Sequence, residues 1–259
     1  MHEGLRYTGL PVETSEEFNA WLQGVVVRRA VVQRFSDGHT LHEWRDTSRL
    51  GICVYANPSR DIRCITPYYE GRTRIIASGV ALEPSSHGCP WCDLLVVRVA
   101  RSYPSGRFDL RFHFAEVGRY RHSLDRLQNS PFCVTAWAAN VTLYPDEQAQ
   151  LDAHADDPKT GDGAFIRPVE PKTMLIYRRG ADGRPVRDAS IYMTAVVIRA
   201  REKTEKAAKT KFVHCVAETA GGQFEVILAG DQKPASPPRK GHILEGWFFL
   251  TGIVARISG

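Results

Sequence analysis

Helical spacing shows first at Thr14-Ser15-Glu16-Glu17-Phe18-Asn19-Ala20-Trp21-Leu22. Ser or Thr can cap there, acidic residues enter the first turn, and Phe18, Trp21 and Leu22 recur on one face, which predicts a short N-terminal helix within residues 1–23. From Gly24 the pattern changes to β-branched runs between Gly, Pro and Asp: Val25-Val26-Val27, Gly51-Ile52-Cys53-Val54-Tyr55 and Ile75-Ile76-Ala77-Ser78-Gly79-Val80. Such runs predict strands, with a turn at Asp37-Gly38. Leu94 to Val99 and the alternating Arg107 to Phe114 flank Tyr103-Pro104-Ser105-Gly106, the signature of a hairpin. Ser123 to Gln128, closed by Asn129-Ser130-Pro131, reads as a short helix. Pro145 to Val169 carries Asp146, Asp152, Asp156, Asp157 and Asp162 among few apolar residues, which predicts an exposed acidic loop with room for one helical turn.

The last third returns to the β pattern and invites an internal comparison. Gly24-Val25-Val26-Val27-Arg28-Arg29-Ala30 lines up with Ala195-Val196-Val197-Ile198-Arg199-Ala200-Arg201, and Pro67 to Gly71 with Pro237 to Gly241. Each Gly is followed by an apolar run ending in Ser78-Gly79-Val80 or Thr251-Gly252-Ile253. A duplicated small unit accounts for two such segments separated by a long insert better than a solenoid does. The C-terminal segment reads as strands Thr194–Arg199, Phe212–Glu218, Phe224–Leu228, Ile243–Leu250 and Thr251–Ile257, with a long charged loop after the first. Five short strands with that loop resemble an OB-type barrel, a fold whose usual ligands are oligonucleotides or oligosaccharides. The expected architecture is therefore mainly β: a leader and helix (1–23), a first OB-like barrel (24–93), a hairpin-containing insert with the acidic loop (94–189) and a second OB-like barrel (190–259).

Composition adds little to this picture. The 259 residues are 43% hydrophobic and 24% charged, which excludes disordered, collagen-like and coiled-coil classes. No apolar run reaches the roughly 18–20 residues of a membrane-spanning helix and the start lacks a secretory pattern, so the expectation is a cytoplasmic protein without a membrane partner. Charge changes the picture more. Thirty-four Lys and Arg against twenty-nine Asp and Glu leave a net charge of +5. The cations crowd into Arg199 to Lys211 and Arg239-Lys240, away from the acidic loop.

Six cysteines are too sparse for a disulfide framework. Cys133 and Cys215 sit in apolar stretches as small buried hydrophobes. His87-Gly88-Cys89-Pro90-Trp91-Cys92 is the sharpest local motif, since two thiols separated by two residues can chelate a tetrahedral metal or form a dithiol pair. A strand follows it rather than a helix, so the setting that activates a redox thiolate is missing. A zinc site would need Cys53 and Cys64 beside Cys89 and Cys92, a spacing without a second close pair. The expectation is no cofactor, with zinc as the alternative.

Arg199, Arg201, Lys203, Lys206, Lys209 and Lys211 form a basic stretch that, on the barrel reading, occupies the loop after the first strand of the second unit. Cations there can follow a phosphate backbone, helped by Arg239 and Lys240. Single-strand binding also wants aromatic platforms, for which Tyr68 and Tyr69 beside Arg72 and Arg74 are the candidates. Adjacent residues of an extended chain cannot both face one core, which places this pair in a loop. Phosphate-loop, dinucleotide, nucleophile-elbow and zinc-protease motifs are absent from the sequence. The leading expectation is a non-enzymatic protein that binds single-stranded DNA or RNA. A protein–protein assembly module, or a zinc enzyme centred on Cys89 and Cys92, are the alternatives.

Overall fold

Helix α1 (Ser15–Trp21) runs straight into a π-helical segment, Leu22–Val27, so the three valines expected to open a strand are helical. In this computed structural model the described residues are 15–85, 88–100, 107–155, 175–177, 188–206, 209–219 and 221–255. Phe18, Trp21 and Leu22 are buried, with Trp21 edge-on to Trp44 at 5.7 Å. That apolar seating carries the helical phase past Gly24, because β preference is weak beside tertiary context.

Strands β1 (Val31–Arg34), β2 (Thr40–Arg45), β3 (Leu50–Ala56) and β4 (Ile62–Tyr69) follow as an antiparallel four-stranded sheet in chain order. A second sheet collects β5 (Ile75–Glu83), β6 (Leu94–Ala100), β7 (Arg107–Phe114), β8 (Pro131–Tyr144), β9 (Leu175–Tyr177), β10 (Ser190–Thr204), β11 (Lys211–Thr219), β12 (Gly222–Leu228) and β13 (Ile243–Val254). Two short helices, α2 (Val117–Tyr120) and α3 (Glu147–Ala153), lie on either side of β8 in the chain. The expected hairpin is β6–β7, paired Leu94↔His113 to Ala100↔Arg107. Residues 123–128 supply only a 3-10 turn, Leu124–Leu127. Most of the acidic stretch, including Asp156, Asp157 and Asp162, lies outside the described residues. Asp146 caps α3, its Oδ1 accepting from Ala149 N at 2.8 Å.

Pairing in the second sheet returns on itself twice. From β8 through β5, β6, β7 and β13 the neighbours lead back to β8, and from β13 through β10, β11 and β12 they lead to β8 again. The strands of 24–93 divide between the two sheets, whereas the long strands of 190–259 all lie in the second, so these segments do not share one strand layout. The expected final pair is one strand, β13, laid along β8 from Ile243↔Tyr144 to Val254↔Phe132. It bends at a bulge between Trp247 and Phe248 instead of turning. Gly246, at φ +148, allows this: a Cβ there would strike the Asn140 carbonyl.

Strands β2, β3 and β4 are covered on both faces. Leu41, Cys53, Tyr55, Cys64 and Tyr68 face a large core shared with β6, β7, β8 and β13. Ile52, Val54, Ile65 and Tyr69 face a smaller one with α1, Trp137, Phe212 and Ile227. Period-two alternation thus sends Tyr68 and Tyr69 into different cores, both 1% exposed. The loop expected for this pair is corrected to strand β4: adjacent residues cannot share one core, but this sheet has two.

Arg119 ties the sheets together. Its guanidinium donates to Glu43 Oε2 and Glu116 Oε1, each at 2.6 Å, and to Gln33 Oε1 at 2.9 Å. Glu116 Oε2 accepts from Val254 N at 2.8 Å, and burial pushes the Glu116 carboxyl up despite the facing guanidinium. Arg119→Ala is expected to lower stability by about 2 kcal/mol, less than the full penalty of an unpaired buried charge because Glu116 can take up a proton. A lower urea midpoint with unchanged denaturant slope would report it, and an unchanged midpoint would show that the network contributes nothing net.

Candidate functional site

The β10–β11 hairpin and the β4–β5 connection bring the site together. The ladder of β10 continues to Thr204↔Lys211, so most of the basic stretch read as a loop is strand. Alternation then places Arg199, Arg201 and Lys203 on one face, with His214 directly opposite Arg201. In the next pair His214 faces Ile227 while Val216 faces Glu225, which makes His214 and Glu225 diagonal neighbours on the same face. His214 Nε2 and Glu225 Oε2 are 2.5 Å apart.

Glu225 has no exposed surface. Its Oε1 accepts from the backbone N–H groups of Arg72 and Thr73 at 2.6 and 2.8 Å. The chain can wrap this closely because residue 71 is glycine: a Cβ there would fall on the Glu225 carboxylate. The wrap also aims Arg72 at the same region. Lys203 Nζ donates to Tyr69 Oη at 2.5 Å and lies 5.1 Å from the centre of that ring. The Tyr69 ring in turn stacks on His214 at 4.3 Å.

These groups line an open cavity of about 260 Å³. Arg49, Arg72, Arg199, Arg201 and Lys203 surround it, and Tyr69 and His214 form the buried part of its wall. Burial and the facing Arg49 charge push the Lys203 ammonium down, with Arg201 and Arg199 acting in the same sense. Five cations thus converge where one buried carboxylate answers them, and an incoming anion relieves their repulsion. Burial and the Glu225 charge push the Tyr69 phenol up, so it stays protonated. Burial pushes His214 down against the pull of Glu225, while the His214 and backbone hydrogen bonds outweigh burial at Glu225 and hold that carboxyl low. The pair therefore rests as a neutral imidazole donating from Nε2 to a carboxylate, which leaves Nδ1 as its basic nitrogen.

Comparison with protein-family models, curated proteins and solved structures finds no match. The site has to be read from its own chemistry.

Of the residues singled out in the sequence, Arg199, Arg201, Lys203 and Tyr69 meet in the cavity. The remaining basic residues do not line it. Lys206 is tied by its backbone N–H to Asp46 Oδ2 at 3.1 Å, and Lys211 pairs with Glu202 at 3.7 Å. Lys209, Arg239 and Lys240 are exposed elsewhere. Tyr68 donates to Glu43 Oε1 at 3.0 Å, far from a stacking platform. Arg49, His214 and Glu225 were not singled out. The available signal was a polar residue inside each of two apolar strands, Phe212-Val213-His214-Cys215 and Phe224-Glu225-Val226-Ile227.

The cysteines also gather, in part. Cys89 Sγ and Cys92 Sγ approach the same carbonyl, that of Arg63, at 3.5 and 3.9 Å, and Cys64 Sγ lies 3.6 Å from Thr66 Oγ1. Hydrogen bonding to Cys64 heads the causes that push the Cys92 thiol up, and hydrogen bonding to Cys92 heads those that push up Cys89. Both are resting thiols rather than thiolates. Cys53 and Cys64 are buried strand residues in the large core. Among the described residues, no group of three or more His, Cys, Asp or Glu side chains is arranged to hold a metal ion.

Proposed function

We propose that this protein binds single-stranded nucleic acid through its phosphates, in the cavity between β10, β11 and the β4–β5 connection. The observation that carries the reading is the convergence of Arg49, Arg72, Arg199, Arg201 and Lys203 on one open cavity. Guanidinium groups present planar donor forks to phosphate oxygens, and Lys203 adds a point charge held in place by Tyr69. Neutralising phosphates releases counterions, so affinity must fall as salt rises. Tyr69 is buried and offers no open stacking face, so phosphate contact rather than base stacking carries the affinity.

The test is fluorescence anisotropy with labelled single-stranded DNA and RNA across a salt series. The expected result is micromolar or tighter binding that weakens with salt on a log–log slope of about −0.7 per phosphate engaged. No binding at low salt would overturn the reading. It would favour a protein-docking role instead, for which the exposed Val31 and Val32 of the edge strand β1 are the relevant observation.

A further inference from the structure

The cavity contains more than a phosphate clamp needs. Five cations suffice to hold a phosphate, yet the wall also carries an imidazole fixed by a carboxylate that is itself fixed by two backbone N–H groups. A carboxylate on one ring nitrogen orients the imidazole and sets its tautomer, so that the other nitrogen is the proton acceptor. Beside it stands an ammonium, Lys203, positioned by Tyr69. Positioned base, positioned acid and surrounding guanidinium groups are the parts required to cleave a phosphodiester that brings its own nucleophile. RNA brings one in the ribose 2′-hydroxyl, and DNA does not.

We infer that the His214–Glu225 pair and Lys203 make this cavity an RNA-cleaving site that works by acid–base chemistry. The inference rests on the phosphate-binding reading above. His214 Nδ1 takes the proton of a 2′-hydroxyl as the 2′-oxygen forms its bond to the adjacent phosphorus. The bond from phosphorus to the 5′-oxygen of the next nucleotide breaks, and Lys203 Nζ gives that oxygen its proton. Arg199 and Arg201 balance the charge gathered on the non-bridging oxygens. The products are a 2′,3′-cyclic phosphate and a 5′-hydroxyl, and solvent returns the proton from His214 to Lys203. Glu225 is a positioning residue, buried behind the imidazole.

The experiment incubates the full chain, in buffer containing a chelator, with three labelled oligonucleotides of one sequence: RNA, 2′-O-methyl RNA and DNA. All three should bind, and only RNA should be cut, to ends carrying a 2′,3′-cyclic phosphate. With protein in enough excess to hold the RNA bound, His214→Asn should cut it at least about 100-fold more slowly, the low end of what a positioned base contributes. Lys203→Met, at a half-buried position on the strand surface, gives a second reading if the histidine variant fails to fold. With protein in excess, it should slow ordinary RNA far more than a substrate whose 5′-bridging oxygen is replaced by sulfur, since a thiolate leaves without an acid, and equal slowing of the two would remove Lys203 from the acid role. RNA that binds and stays intact overturns this inference and leaves phosphate binding standing. Cleavage unaffected by either substitution overturns it as well, by assigning the activity to a contaminant. Failure of every oligonucleotide to bind removes both readings together.

Discussion

Replacing Arg72, Arg199 and Arg201 together by alanine is expected to weaken single-stranded RNA binding by roughly 100-fold or more, at about 1 kcal/mol or more for each charge-assisted hydrogen bond to phosphate. The same variant should lose about 2 from the salt slope, with three phosphates no longer neutralised at about 0.7 each. The three side chains are exposed and serve no core, so the fold should survive their removal. Arg72 holds Glu225 through its backbone N–H, which alanine keeps. Anisotropy at several salt concentrations measures both quantities at once. A paired control, Arg239→Ala with Lys240→Ala, removes exposed cations that do not line the cavity and should change affinity only slightly. If the control and the triple variant behave alike, binding depends on net charge and not on this cavity.

Glu225→Gln is expected to destabilise the protein by about 3–5 kcal/mol, the range for breaking a buried, hydrogen-bonded charge pair from one side. The carboxylate accepts from His214 and from two backbone N–H groups, and it has no exposed surface. Glutamine returns one acceptor oxygen and sets an NH₂ group against the remaining donors. For a chain of this size the midpoint of thermal unfolding should fall by roughly 2–4 °C per kcal/mol. The difference should also depend on pH. Since the folded protein holds this carboxyl low, its contribution is complete above the unfolded value near ~4.3 and is lost as pH falls through the folded value. The gap between parent and variant should therefore be widest near neutrality and close in acid. His214, held neutral, adds a loss in both proteins that begins near ~6.5, where the unfolded chain starts to take up a proton. Gly71→Ala checks the same packing from the other side, by forcing a Cβ onto the Glu225 carboxylate. Thermal and chemical unfolding from acid to neutral pH measures all of this, and a parent-like midpoint for Glu225→Gln at neutrality would show that the buried carboxylate is neutral already.

The hairpin of β6 and β7 and the strand character of 50–83 follow from alternation and turn residues, which act within a few positions of one another. Helix α1 was readable for the same reason, through its acidic residues Glu16 and Glu17 and three aromatic or aliphatic residues at helical spacing. Arg199, Arg201 and Lys203 stood out as charge on a β background, and they do line the cavity. What failed was every inference that depended on what lies across from a strand. Val25 to Val27 read as a strand and continue a helix, because Trp21 and Leu22 are held in a core that no local window contains. Tyr68 and Tyr69 read as a loop because one core was assumed, whereas the sheet has a core on each face.

By itself, then, the sequence determined the mainly β character, the short N-terminal helix, the hairpin and the concentration of cations near residue 200, all consequences of spacing between near neighbours. Only the tertiary structure decided which cations share a cavity and that a buried His214–Glu225 pair stands behind them. Arg49 and Arg72 arrive there from strand connections more than a hundred residues away, and His214 meets Glu225 through the diagonal of a strand pair. Register and sheet order set those meetings, and both are fixed by long-range pairing and by the burial of two opposite faces, which alternation along a single strand does not encode.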